Sequence, residues 1–332
     1  MITPRLLRRS LVRALQWRLL FLWWASLLVP GAIAALPVFR FLRLQLDHSP
    51  RARDLVAFLD GATLSDLLRQ LGENGAGEAM VLGLAGAVLS LLLVAPFMAG
   101  ALVTAARSDE PLPLPALLAG AGELYARMVR TALCGLVPLG IGAGLAAGAI
   151  KLALKVGEHD LTETAAHAHL RAGLLLAVVA VFLFQLVVDA ARALFAAEPS
   201  RRSAALALWS ALRLLVRRPL RMLGIGGLAS LAGFGAAAVL MAVRLRLEQG
   251  SALRIGLAWA LAQAAQVAIG WGHAARIFGL AELARADAAD RTRAFQLAPP
   301  ATSPPPSLPS SSTERAAPEL SAPLSTRDAS GT

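Results

Sequence analysis

Three polar residues, Gln185, Asp189 and Arg192, interrupt an otherwise apolar stretch of this chain. Residues spaced i, i+4 and i+7 share one helix face, so an amide, a carboxylate and a guanidinium would point the same way. A charge inside a membrane segment is costly and usually faces a bundle interior or a partner. The Asp189–Arg192 spacing lets the two neutralise each other as a local ion pair that anchors a helix end. Proton or ion relay chemistry would ask for a second buried acid, and no other apolar stretch supplies one. Further along, Gln263, Gln266, Trp271 and His273 make the last apolar stretch the most polar. Two glutamines three residues apart read as hydrogen-bonding glue between helices, and His273 as a structural histidine near the helix end. The candidate polar face is therefore Gln185, Asp189, Arg192, Gln263, Gln266 and His273.

A second cluster, His159, Glu163 and His167, with Asp160 and His169 nearby, places imidazole and carboxylate donors at helical spacing. Such donors suit zinc or copper. From i to i+8, however, a helix rises about 12 Å, too far for one ion to bind all three. A solvated connector is the reading adopted, with neither metal nor cofactor expected. The chain has no HExxH, no phosphate-binding GxxxxGK[ST] and no GxSxG pattern, so no catalytic residue is assigned and the protein is not expected to be an enzyme.

These residues need elements to hold them, and composition says which. Of 332 residues, 57% are apolar, 16% charged and 5% aromatic, with a mean hydropathy of +0.62. A soluble domain is about one quarter charged, so the balance excludes an ordinary soluble enzyme, a disordered chain and a disulfide scaffold. The single cysteine, Cys134, cannot form an internal disulfide. Six stretches, about 19–39, 79–105, 128–149, 172–195, 222–243 and 255–280, reach the roughly 20 apolar residues needed to cross a bilayer. Lipid offers no hydrogen bonds to the backbone and none of the six alternates like a barrel strand, so each should be helical. The expected fold is all-α: six transmembrane helices (19–295) between a basic N-terminus (1–18) and a Pro/Ser-rich disordered tail (296–332).

Orientation follows from the basic residues. With both termini cytoplasmic, the inside segments (1–18, 106–127, 196–221 and 273–332) carry 19 Lys or Arg and the outside segments 11. This excess, led by Arg5, Arg8, Arg9, Arg13 and Arg18, favours cytoplasmic termini. The run ending near Ala32-Ile33-Ala34 resembles a signal-peptide site, but its length, Trp23, Trp24 and Pro30 favour a retained anchor. Net charge of +11 thus serves topology and attraction to anionic lipid rather than nucleic acid.

The first outside loop has leucines at helical spacing and a Thr63/Asp66 helix start, which predicts one or two short amphipathic helices with a turn at Gly72–Gly77. Two inside loops echo each other. Ala116–Arg130, which runs straight into the third span, and Ala204–Arg217 each follow prolines and read as amphipathic surface helices. On the second, Leu206, Trp209, Leu212, Leu215 and Val216 would face hydrocarbon, while Arg201, Arg202, Arg213, Arg217 and Arg218 would meet anionic headgroups. Gly140, Gly144 and Gly148 form a small-residue ladder that would bring two helix backbones close. Pro30, Pro96 and Pro138 place a potential kink in each of the first three spans. In the tail, Pro304–Pro306 is a candidate polyproline docking stretch.

Asp189-Ala-Ala-Arg192, Arg201-Arg202-Ser-Ala204, Ala211-Leu-Arg213, Arg217-Arg-Pro219 and Gly122-Glu-Leu-Tyr125-Ala-Arg-Met-Val-Arg130 together resemble a group of uncharacterised bacterial six-span integral inner-membrane proteins, over roughly residues 15–290. The resemblance implies architecture and a bacterial cytoplasmic (inner) membrane location; it carries no activity. The leading expectation is an accessory or assembly component with a protein partner. The alternative is a transporter or permease-like protein with a cavity near Asp189 and Arg192. A cavity reaching that face would favour transport, and a tightly packed interior would favour the scaffold.

Overall fold

A computed structural model describes residues 4–46, 65, 69, 76–158, 162–247 and 251–297. Among them are eight helices and no strand: α1 (Pro4–Arg13), α2 (Trp17–Leu46), α3 (Ala76–Arg107), α4 (Leu114–Gly157), α5 (Glu163–Ala197), α6 (Ala204–Arg217), α7 (Pro219–Leu245) and α8 (Ala252–Leu297). Six of them, α2, α3, α4, α5, α7 and α8, are long and apolar enough to cross a membrane, and each contains one of the six expected stretches. The protein is a multi-pass, all-α membrane protein. The expected loop helices around Thr63, the turn at Gly72, His159, Asp160 and the Pro-rich tail lie outside the described residues.

Burial divides the 4–288 unit along its length. At one end a dense core gathers Leu102, Leu117, Met128, Leu186, Phe195, Met222, Ile277 and Phe278, all at most 2% exposed. Away from it the same spans turn leucine and valine outward, among them Leu82, Leu92, Val137, Leu175 and Val239. An apolar belt of this extent is what lipid would cover.

Arginine ties the dense end together. The last carbonyls of a helix have no partner within it. Arg107 donates to Phe195 O near the end of α5 (3.2 and 3.0 Å), and Arg285 to Ala106 O near the end of α3 (2.6 Å). The basic N-terminus is itself folded: α1 packs Leu6, Leu7 and Leu11 on the core, and Trp271 Nε1 donates to Leu11 O. Arg13 then pairs with Glu282 at 3.0 Å and donates to Ser108 O.

α6 has the expected bounds and is capped by Ser203, whose side chain accepts from Leu206 N. Its alanines, Ala204, Ala207 and Ala211, are buried with Leu214, whereas Leu206, Trp209, Leu212 and Val216 are exposed. Leu215 departs from the expected outer face and packs on the core. Small residues let the helix lie close to the bundle, which leaves the bulky apolar side outward. Arg201 is held by Glu198 (2.7 Å) and Arg218 by Asp287 (3.0 Å); Arg202, Arg213 and Arg217 are exposed.

One local expectation holds and another changes. Ala116–Arg130 runs straight into the third span, as expected: α4 is unbroken for 44 residues through Pro138, and α2 and α3 likewise continue through Pro30 and Pro96. The Gly140, Gly144 and Gly148 ladder meets no neighbour: a Cβ at each would find nothing within 4 Å. Other glycines of α4 pack closely: a Cβ on Gly142 would lie 2.9 Å from the Phe184 ring, and one on Gly120 would lie 2.5 Å from the Thr104 side chain. The buried positions of α4, Gly135, Gly142 and Ala146 among them, follow a different stripe from the ladder.

Candidate functional site

The polar site is built where α5, α7, α8 and α2 converge. α5 starts at Thr162, whose side chain accepts from Ala165 N, and has no proline or, after Gly173, glycine to interrupt it. It therefore carries Gln185, Asp189 and Arg192 on one face, as their spacing requires. Asp189 is fully buried. Its Oδ1 accepts from Arg192 Nη1 at 3.0 Å and from Gln185 Nε2 at 3.3 Å.

The second counter-ion comes from α8. Arg276 Nη2 lies 2.5 Å from Asp189 Oδ2, and Arg276 Nη1 donates to Ser230 Oγ of α7 at 2.9 Å. Arg276 Nη2 also lies 2.8 Å from His273 Nδ1. Because a guanidinium only donates, Nδ1 is the acceptor and a neutral ring holds its proton on Nε2. The His273 ring in turn sits against Trp23 of α2, with ring centres 5.4 Å apart.

What brings these helices into register is a backbone crossing. A Cβ on Gly233 would lie 2.8 Å from the Gly272 Cα, and the reverse is equally tight, so α7 and α8 touch through glycine. Ser230 stands one turn before that crossing on α7 and Arg276 one turn after it on α8, which in antiparallel neighbours places them together. Gly270 makes room for Trp23, whose indole fills the space a side chain would need.

Beside the cluster is a cavity of about 310 Å³, walled by Arg192, Arg276, His273, Gln185, Ser230 and Ser26 on its polar side and by apolar residues of α2 and α3 on the other. Ligand pockets typically run from about 300 to 1,000 Å³. One carboxylate faces two guanidinium groups, so the cluster carries a formal charge of +1. Nε of Arg192 and Nε of Arg276 are buried without a hydrogen-bond partner. The arrangement can hold an anion: it offers net positive charge on two guanidinium groups that line a cavity.

Four of the six expected residues, Gln185, Asp189, Arg192 and His273, thus meet. Gln263 and Gln266 do not join them. They line a second cavity of about 660 Å³, where Gln263 Oε1 accepts from Trp24 Nε1 at 3.0 Å. This is the interhelical adhesion their spacing suggests. Arg276, Ser230 and Trp23 were absent from the expected face. The available signal was the His273–Arg276 spacing, which puts both on one side of a helix. Glu163 and His167 form an exposed pair at 3.4 Å, and among the described residues no group of three or more metal-type donors gathers.

No family model, no curated protein and no solved structure matches this chain.

Proposed function

We propose that this protein is permease-like and takes up an anionic solute in the cavity beside Arg192 and Arg276. The observation that carries the reading is a buried +1 cluster lining a cavity inside a six-span bundle. A charge is tolerated at such depth where function or pairing requires it; here one carboxylate is shared by two guanidinium groups, which leaves a net charge of +1 for a ligand to balance. A scaffold needs no such cavity, so the accessory reading ranks second. On the charge count both termini are cytoplasmic, and the resemblance to six-span inner-membrane proteins implies the bacterial inner membrane. That places the charged cavity toward the cytoplasmic side. Arg202, Arg213 and Arg217 of α6 then face anionic headgroups.

The test is titration of the purified protein with acetate, butyrate and inorganic phosphate, followed by tryptophan emission, then flux of the binding anion into proteoliposomes. Saturable binding that weakens about tenfold or more in Arg276→Gln and recovers in part in Arg276→Lys is expected, with flux reduced in the same order. No saturable binding by the native protein, or equal binding by both variants, would end the proposal.

A further inference from the structure

The two cavities adjoin. Leu27 of α2 and Leu91 of α3 line both of them, so the charged chamber and the larger one are neighbours along the seam of α2, α3 and α8, with these two side chains at their boundary. The chambers differ in chemistry. No charged residue lines the second, whose polar groups are Trp24, Gln263, Gln266 and the indole of Trp259. The hollow exists because α2 presents Gly31, Ala32 and Ala35 there; a Cβ on Gly31 would meet nothing within 4 Å. Gly31 and Ala35 are exposed, and Leu84 and Trp259 on the facing walls are 62% and 56% exposed. The second chamber therefore opens on the side of the bundle, at the level of the apolar belt.

From Leu27 to Ala35 helix α2 rises about 12 Å, close to the roughly 15 Å of hydrocarbon in one leaflet. A charged pocket at one end and a chain-length apolar trough at the other match a molecule with the same polarity. Resting on the anion-binding reading above, we infer that the ligand is an acidic single-chain amphiphile. Its anionic head lies against Arg192 and Arg276, and its hydrocarbon tail passes between Leu27 and Leu91 into the second chamber. Such a molecule reaches the site sideways from the bilayer. Its head balances the net charge of the two guanidinium groups, while its tail covers apolar wall that is otherwise bare.

The discriminating experiment compares butyrate, octanoate and dodecanoate by calorimetry on the full chain, in the native protein, in Gly31→Leu and in Ala35→Leu. A tail site makes octanoate bind about tenfold or more tightly than butyrate, because each buried methylene adds favourable transfer energy. Leucine at either position fills the trough and lowers that preference at least threefold. The second variant guards against one of them failing to fold, which circular dichroism checks. Equal affinity for butyrate and octanoate in the native protein overturns the tail chamber and leaves the anion-binding reading standing. Binding of neither acid overturns the tail chamber, and binding of neither acid nor inorganic phosphate overturns both. A preference that survives both leucine variants also refutes the assignment, since the tail then lies elsewhere. Lipid extracted from the purified protein identifies the source: about one acidic lysolipid per chain, displaced by octanoate, indicates a membrane ligand, and its absence indicates a free fatty acid.

Discussion

Asp189→Asn removes one charge and almost no volume, so it isolates the electrostatic role of this residue. Asp189 is fully buried and is the counter-ion of two guanidinium groups, at 3.0 Å for Arg192 and 2.5 Å for Arg276. Asparagine leaves a formal +2 in a site where Arg276 is only 8% exposed. Removing one partner of a buried pair costs about 3–5 kcal/mol. At about 2 °C per kcal/mol for a unit of this size, the midpoint should fall by roughly 6–10 °C. Arg276→Gln should cost less, because Asp189 keeps Arg192 and the Gln185 amide. The double variant should be less unstable than the two single losses together, with a coupling of about 1–3 kcal/mol.

Thermal unfolding followed by tryptophan emission reads all three variants, first in mild detergent and then in lipid nanodiscs. A midpoint for Asp189→Asn within about 1 °C of the native protein would refute the charge-matching argument. So would a double variant whose loss is additive to within about 0.5 kcal/mol.

Three further outcomes test the packing. Gly142→Ala should destabilise by about 1–3 kcal/mol, because its Cβ meets the Phe184 ring, whereas Gly144→Ala should be neutral or gain up to about 1 kcal/mol from helix propensity; equal melting of the pair would contradict the glycine assignment. Arg13→Ala loses the Glu282 pair and the Ser108 carbonyl. It should cost about 1.5–3 kcal/mol and speed hydrogen exchange across residues 4–13, so unchanged exchange there would show that α1 is held by its leucines alone. Gln263→Ala deletes a single interhelical hydrogen bond to Trp24 and should cost only about 0.6 kcal/mol, a melting shift of about 1 °C; a much larger loss would mean that Gln263 does more than glue two helices.

How much of this was legible in the sequence depends on which physical constraint acts locally. The six spans were readable because lipid forces every backbone group into a helix, so apolar length alone identifies them. The α5 face was readable for the same reason: once residues 172–195 are helical, Gln185, Asp189 and Arg192 cannot point apart. The bounds of α6 followed from proline before it and the arginines near its flanks; the Ser203 cap that fixes its first turn was not read. The glycine ladder failed because spacing reports which residues share a face and says nothing of what that face meets. Gly142 and Gly144 are equally small, and only the neighbouring α5 distinguishes them.

The same limit explains the missed half of the site. Arg276 falls near the end of an apolar stretch, where an arginine ordinarily snorkels to headgroups, and counting it with the cytoplasmic segment was consistent with its sequence context. Its inward direction is set by α8 crossing α7 at Gly233 and Gly272 and by a carboxylate waiting on α5. None of those three positions is close to another in sequence. A charge in a membrane helix is therefore assigned to the interior by its partner, and its distance from the helix end is secondary. Asp189 could be placed alone because a buried carboxylate has few other places to go. Arg276 could be placed only once Asp189, already paired with Arg192, was found to have a second oxygen for it.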